Sequence, residues 1–198
     1  YYPVEYMAAL MTSVIDNPGK VAEYIYSCRQ MGIKILPPDI NHGYSSFSVD
    51  NGSIRYGLAA IKSIGRPVIK EIVAERKANG EFKNLKDFIE RMSGKDINKR
   101  TIENFIKSGA FDELGGTRKQ FMVIYVQILD QVNREKKNSM TGQMSLFDIV
   151  GEEQKSEFDI PLPNVGEYEK STKLAFEKEV LGIYLSGHPM EEYEEQWR

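Results

Sequence analysis

Apolar residues recur at helical spacing through most of this 198-residue chain. Near the start, Val4, Met7, Ala8 and Met11 fall on one side of a helical wheel. Recurrence at intervals of three and four residues is typical of an amphipathic helix with one buried face. The same spacing, together with Asn and Thr caps and Gly stops, predicts helices over residues 3–16, 17–32, 57–63, 67–78, 84–92, 98–107, 118–137 and 168–182.

One stretch alternates with a period of two instead. Phe47 and Val49 precede the turn residues Asp50-Asn51-Gly52, and Ile54 and Tyr56 follow them. Alternation on both sides of an Asn-Gly turn predicts a β-hairpin. Residues 33–36 predict one further short strand, which two prolines end. We therefore expect a mostly α fold with a small β-hairpin.

Residues 138–166 show no sustained periodicity. Gly, Ser, Pro, Asp and Glu dominate this stretch, which predicts a flexible linker. A short hydrophobic island, residues 143–147, interrupts it. Another protein is one candidate to cover this island. The alternative is that Leu146 and Phe147 fold back onto the preceding long helix.

Charge is distributed unevenly along the chain. Residues 54–119 carry 15 Lys or Arg and 9 Asp or Glu, a net charge of +6. Residues 148–198 carry 5 and 13, a net charge of −8. A basic middle next to an acidic tail suggests a module that faces phosphate, although ordinary surface charge is the alternative.

The totals limit the classes of protein to consider. The single cysteine, Cys28, excludes an internal disulfide and fits a reducing cytoplasm. No apolar run approaches the ~20 residues of a membrane span, so no membrane partner is expected. The sequence shows no P-loop, no metal-spaced His/Cys cluster and no nucleophile motif, so we predict neither a catalytic residue nor a metal or cofactor site. Both ends look cut, which predicts a segment of a longer chain.

A glycine turn with basic neighbours lies between two of the predicted helices. Gly65 can take positive φ and lets a phosphate approach the backbone, and Pro67 suits the first turn of the next helix. The unpaired N–H groups and the dipole at that helix start form an anion site. This arrangement resembles a helix-hairpin-helix motif, which binds the DNA backbone without reading its sequence. The predicted contacts are Lys62, Ser63, Gly65, Arg66 and Lys70.

A second stretch, residues 98–121, repeats the arrangement. Its helix ends at Lys107, and Ser108-Gly109-Ala110 forms the predicted turn. Two such turns in tandem are able to grip both strands of a duplex. The predicted contacts here are Lys99, Arg100, Ser108, Gly109, Arg118 and Lys119. The alternative for both turns is that they serve packing only.

The hydrophobic island has its own chemistry. Its five residues are Gln143, Met144, Ser145, Leu146 and Phe147. A glutamine is able to hydrogen-bond at a pocket rim while Leu and Phe fill an apolar hole, and a few such anchors supply most of the energy of peptide binding. The pattern resembles the sliding-clamp-binding pentapeptide of bacterial replication proteins, with Met144 at a position that tolerates several residues.

Taken together, the chain resembles part of the C-family bacterial replicative polymerases, the DNA polymerase III alpha subunits. The matching stretches are "DNPGKVAEYIYSCRQMGIKILPPDIN", "IRYGLAAIKSIG", "NKRTIENFIKSGAFDELG", "GQMSLFD" and "EKEVLGIYLSGHPMEEY", in the order of that family. The resemblance implies residues 1–43 from the end of the fingers domain, residues 44–137 as a tandem helix-hairpin-helix domain, residues 138–166 as a linker with the clamp motif, and residues 167–198 as a helical lead-in to an OB domain.

The resemblance also implies a function and partners. The parent enzyme would perform template-directed DNA synthesis in the cytoplasm, with Mg²⁺ held by palm aspartates outside this stretch. This segment alone would be inactive as a polymerase. Its partners would be duplex DNA, the sliding clamp (the beta subunit) and, through other regions, further replisome subunits. The alternative is a helix-hairpin-helix module of a repair or nuclease-accessory protein.

Overall fold

The computed structural model describes residues 2–140 and 160–190. The clamp-motif prediction at residues 143–147, and residues 191–198 of the predicted helical lead-in, lie outside these ranges. The helices are α1 Pro3–Ser13, α2 Pro18–Gln30, α3 Arg66–Asn79, α4 Leu85–Met92, α5 Lys99–Ser108, α6 Arg118–Met140 and α7 Lys170–Leu181, with one 3-10 helix at Leu58–Ala60. The strands are β1 Ile35–Leu36, β2 Ser48–Asp50 and β3 Ser53–Arg55.

The predicted hairpin is confirmed. Strands β2 and β3 pair antiparallel, and Asn51 and Gly52 between them both have positive φ, of 50° and 79°. A two-residue turn needs this geometry to match the twist of its strands, and Asn-Gly adopts it readily. Strand β1 adds parallel to β3, so the sheet order is β1-β3-β2. The mostly α fold with a small β-hairpin is confirmed.

The predicted caps account for most helix starts. Asn17, Asn84 and Asn98 each accept a hydrogen bond from the backbone N–H three residues on. At α6, Thr117 Oγ1 accepts from the Gln120 N–H, and Gln120 Oε1 accepts from the Thr117 N–H. This reciprocal pair is a capping box. The prediction for residues 57–63 was wrong in one respect, because only Leu58–Ala60 is helical, and as a 3-10 helix.

The core joins the helices, the sheet and the segment after residue 160. Phe88, Phe105 and Phe111 pack ring against ring where α4, α5 and the loop after α5 meet, with centroids 4.9 to 6.1 Å apart. Cys28 is fully buried. Val180 and Leu181 at the end of α7 belong to the same hydrophobic cluster, so the C-terminal helix packs on the body that carries the two turns.

The predicted linker spans residues 138–166, but the described residues at its two ends are part of the folded structure. Helix α6 continues to Met140. At the other end, Gln120 Nε2 donates to the Pro163 carbonyl and Thr117 Oγ1 donates to the Gly166 carbonyl, so residues 163–166 are held against the start of α6. None of the described helices is long and apolar enough to cross a membrane.

Candidate nucleic-acid interface

The turn between the 3-10 helix and α3 is open to solvent. The side chains of Lys62, Ser63, Arg66 and Lys70 are all exposed, and Gly65 is exposed with them. The positive-φ residue of this turn is Ser63, with φ 62°, whereas Gly65 has φ −74° and ψ 144°. The expectation that Gly65 takes positive φ was therefore wrong. Gly65 is the N-cap of α3, a position that needs extended backbone, which any residue adopts.

The backbone of the same turn is fixed from behind. Asn104 Nδ2, on α5, donates to the Lys62 carbonyl at 2.6 Å, and the Lys62 N–H donates to the Val180 carbonyl at 2.8 Å. Two neighbouring helices thus hold Lys62 by its main chain and leave its side chain in water. The backbone of this turn is therefore held on the protein side, and the opposite side of the turn is exposed to solvent.

The start of α3 offers an anion site on the exposed side of this turn. Gly65 supplies no side chain to cap the helix, and Pro67 has no N–H of its own. The first-turn N–H groups of Arg66 and Val68 have no acceptor within the helix, and the positive end of the helix dipole lies at this end. Arg66 and Lys70 add two cations beside them. Arg66 also contacts the Asp16 carboxylate at 3.3 Å, but both side chains are more than half exposed.

The predicted second turn, residues 108–110, lies inside the protein. Ser108 is 0% exposed, and its hydroxyl donates to the Phe105 carbonyl and accepts from the Ala110 N–H. Gly109 has φ 86° and is covered by Arg118, whose Nη2 would lie 2.5 Å from an added Cβ. The structure contradicts the prediction that Ser108, Gly109 and Arg118 contact DNA, because no phosphate reaches groups buried in this way.

Two carboxylates of the protein itself compensate the positive charge of Arg118. Its guanidinium, 3% exposed, lies 2.9 Å from Asp112 and 3.2 Å from Glu177, which is 1% exposed. Burial alone favours a neutral guanidinium, but the hydrogen bonds and charges of Asp112 and Glu177 raise the pKa of Arg118. The other oxygen of Glu177 accepts from the N–H groups of Leu185 and Ser186. Glu177 therefore links the buried Arg118 to the segment after α7.

Lys119 lies at the start of α6, where a carboxylate of the chain already accepts hydrogen bonds from the backbone N–H groups. The Glu167 carboxylate accepts hydrogen bonds from the N–H groups of Arg118 and Lys119, each at 3.3 Å. Burial opposes ionisation of Glu167, but the N–H groups of Tyr168, Lys119 and Arg118 outweigh it and lower its pKa. A carboxylate of the chain thus fills the α6 N-terminus, where a phosphate would otherwise bind.

The second open helix–turn–helix lies earlier than predicted, between α4 and α5. Its turn contains two positive-φ residues, Gly94 at 83° and Asp96 at 56°, and then Asn98, the N-cap of α5. Lys99 and Arg100, which the sequence did single out, are exposed at the start of α5. The stretch "SGKDIN" was the signal that sequence reasoning missed, since a Ser-Gly pair followed by an N-cap predicts a turn before a helix.

The two open turns lie near each other. Asn104 of α5 touches Lys62 of the first turn. Lys99 and Arg100 precede Asn104 by four to five residues, which is about 6–8 Å along the helix axis. This hydrogen bond therefore links the turn before α3 to α5, the helix that begins with Lys99 and Arg100. We call residues 62–66 with Lys70, Lys99 and Arg100 the basic face.

The α4–α5 turn is braced by charged groups from two other helices. Lys95 contacts Glu75 of α3 at 3.1 Å, and Lys136 of α6 donates to the Ser93 carbonyl at 2.7 Å. Hydrogen bonds from Asn79, Arg91 and Lys95 lower the pKa of Glu75 to about 2. Lys95 is thus engaged inside the protein, whereas Lys99 and Arg100 remain at the surface.

No cluster of three or more His, Cys, Asp or Glu with the geometry for a metal ion occurs within residues 2–140 and 160–190. The residues described as the basic face are amides, hydroxyls and cations, which are groups that bind anions.

Comparison with known proteins gives two findings. Residues 32–121 match the helix-hairpin-helix motif. The chain is also similar to the DNA polymerase III subunit alpha of Campylobacter jejuni, with 41% identity over 99% of this chain, and to that of Escherichia coli K12, with 39% identity over 98%. The subunit of Mycobacterium leprae is 39% identical over 94% of this chain. The chain spans about a sixth of these relatives, which is 16–17% of their length.

Proposed function

We propose that this chain, which corresponds over nearly its whole length to one segment of the DNA polymerase III alpha subunits, holds duplex DNA by its phosphate backbone and tethers the polymerase to the sliding clamp. The observation that carries the DNA-binding part is the basic face. It comprises two helix N-termini and five exposed Lys or Arg residues, and the hydrogen bond from Asn104 to the Lys62 carbonyl connects its two parts.

The chemistry of the basic face suits phosphate and not bases. Helix N–H groups and flexible cations recognise the charge of the backbone, which is the same at every step of a duplex. In this proposal, the start of α3 and the start of α5 each take a phosphate of a different strand. Binding of this type is independent of sequence and falls steeply with salt.

The parent enzyme would add deoxynucleotides to a primer end with Mg²⁺ held elsewhere in its chain. In that setting the basic face would hold the duplex product, in the cytoplasm, beside the catalytic domain. The polymerase relatives support this function over a repair or nuclease-accessory protein, since all three of those reported above are named DNA polymerase III subunit alpha.

Clamp tethering is the second part of the proposal, and it rests on Gln143, Leu146 and Phe147. These residues lie outside the described ranges, so the support comes from the sequence pattern and from where α6 ends. Lys136 touches the α4–α5 turn, and Met140 follows it by about 6 Å along the helix. The motif would therefore begin three residues after the end of a helix that contacts the α4–α5 turn. A clamp held there would encircle the same duplex, which raises the effective concentration of DNA without new contacts.

A titration of the chain with blunt duplex DNA over a range of salt concentrations tests the DNA-binding part. We expect a linear fall of log affinity with log salt. The double variant Lys99→Gln/Arg100→Gln should weaken binding to every sequence equally and reduce the slope by about 2. The matched control is Lys20→Gln/Lys34→Gln, whose side chains are exposed on the N-terminal part. An equal loss in both double variants would show that binding follows net charge and not the basic face.

A peptide of residues 138–152 tests the tether. We expect it to bind the sliding clamp in a saturable way at micromolar concentration, since a short isolated peptide bears its full ordering cost on binding. The peptide with Leu146→Ala/Phe147→Ala is the control. No saturable binding, or equal binding of both peptides, would refute the tether while leaving the DNA-binding part intact.

A further inference from the structure

We propose that a groove along α3 binds a short single strand of DNA next to the duplex on the basic face. This inference deepens the proposed function and rests on it. The groove has a volume of about 590 Å³ and lies between α3 and the loop at residues 44–46. It uses residues of α3 that the phosphate contacts at its N-terminus do not account for.

The walls of the groove combine an apolar floor with one exposed aromatic ring. Ile69, Val73 and Ala74 of α3 form the floor, and Tyr44 stands on the opposite side. Tyr44 is 45% exposed, which is a large exposure for a ring of this size. Aromatic rings beside an apolar surface are the usual platform for unpaired bases, because every base has an apolar π-face.

The Tyr44 wall is fixed in place before any ligand arrives. Its carbonyl accepts from the Leu58 N–H at 2.8 Å, and the Ser45 carbonyl accepts from the Ala59 N–H at 3.1 Å. The buried Arg76 guanidinium lies over the Tyr44 ring, 4.8 Å from its centroid, and donates to the Ile40 carbonyl. Lys77 Nζ also lies over the ring, 5.8 Å from its centroid. The ring is therefore held by contacts within the protein, so a base that stacks on it incurs little ordering cost in the protein.

Cations follow the rim. Arg66, Lys70 and Lys77 line the groove from one end of α3 toward the other, over about 16 Å of helix. Within the described part of the chain, the residues that line the groove include no carboxylate. Asp16 reaches the rim at Arg66 only, and that pair is exposed on both sides. A rim of this charge over an apolar floor complements a polyanion that carries flat apolar groups.

The position of the groove favours a nucleic acid over an acidic peptide. Arg66 and Lys70 belong both to the basic face and to the groove, so a strand that leaves the duplex at the α3 N-terminus enters the groove without crossing an acidic surface. An acidic peptide would use the charges but would have no use for a fixed aromatic ring and an apolar floor beside a phosphate site.

Fluorescence anisotropy with three probes tests the inference: a blunt duplex, the same duplex with an oligothymidine tail, and the tail alone. We expect the tailed duplex to bind about tenfold more tightly than the blunt one. Tyr44→Leu and, separately, Lys77→Gln should remove most of this gain and leave blunt-duplex affinity unchanged. The matched controls are Tyr26→Leu and Lys34→Gln, whose exposed side chains lie outside the groove. Far-UV circular dichroism checks that each variant is folded.

The outcomes separate the two proposals. Equal affinity for tailed and blunt duplex, or a gain that both Tyr44→Leu and Lys77→Gln retain, would overturn the groove while leaving duplex binding in place. Binding of the tail through Tyr44 with no binding of blunt duplex would support the groove and refute the duplex function. A polyglutamate peptide that displaces the tail more strongly than free oligothymidine does would identify an acidic peptide as the occupant instead.

Discussion

The turns at residues 62–65 and 108–110 have similar sequences and opposite surroundings. Both contain a serine and a glycine near basic residues. The first is exposed, and within the described ranges its arginine, Arg66, pairs with one exposed carboxylate. The second is buried, and Arg118 lies between Asp112 and Glu177. A glycine and an arginine therefore do not make a phosphate site by themselves. The carboxylates and helices that face the turn decide whether the charge is available to a ligand.

The largest expected effect comes from the buried ion pair between Arg118 and Glu177. Arg118→Ala leaves Glu177 as a buried carboxylate without its cation, and breaking such a pair costs about 3–5 kcal/mol of folding stability. Arg66→Ala should cost at most about 1 kcal/mol, because its ion pair is exposed. Urea unfolding of both variants measures the difference. Arg118→Ala with full stability and weaker duplex binding would place DNA contact at the second turn after all.

The two glycines give the next comparison. Gly109→Ala should destabilise the fold by about 1–2 kcal/mol, because its φ of 86° is unfavourable for alanine and an added Cβ would meet Arg118. Gly65→Ala should change stability by at most about 0.5 kcal/mol, since φ is −74° and the nearest atom to its Cβ would be Pro67 Cδ at 3.6 Å.

Gly65 also provides a test of the phosphate contact. Gly65→Val should fold and should weaken duplex binding, because the larger side chain stands where a phosphate approaches the start of α3. The reason is proximity and not backbone strain. Unchanged duplex affinity in a folded Gly65→Val chain would mean that this helix start does not face the phosphate backbone.

Acid provides a third way to sharpen the comparison, through Glu75, which braces the α4–α5 turn. Its pKa is about 2 in the folded chain and close to 4.5 when unfolded, so the ionised form favours folding. The stabilisation is fully present above pH ~4.5 and is lost as pH falls toward 2. Glu75→Gln should be less stable at neutral pH and should lose less stability over that acid range. Parallel stability curves for the two chains from neutral pH to pH 2 would contradict the assignment.

The smallest expected effect concerns Asp16, the carboxylate that pairs with Arg66 in the described part of the chain. Asp16→Asn removes a competitor for phosphate at the first turn and should raise duplex affinity at low salt by at most about fivefold. The gain should disappear at high salt, where exposed pairs are screened. Anisotropy titrations at two salt concentrations measure it. Weaker duplex binding in Asp16→Asn would indicate that Asp16 orients Arg66 for its ligand.

Most of the local structure was predictable, and most of the site was not. The Asn caps, the Asn-Gly hairpin and the apolar faces of the helices follow from interactions within a few residues, so the sequence was enough. Lys99 and Arg100 were singled out for a turn that lies after their helix, whereas the open turn lies before it. The reason is that "SGA" and "SGK" look alike in sequence, and burial by distant residues separates them.

The sequence by itself determined the α-rich class, the hairpin, the helix starts and the concentration of positive charge in residues 54–119, because each depends on local backbone preference or on composition. Tertiary structure alone decided which turn is open. Glu177 lies 59 residues from Arg118 and Asn104 lies 42 residues from Lys62, and contacts over such separations form only when the helices pack. Packing buries Arg118 in an internal ion pair and leaves Arg66 at the surface.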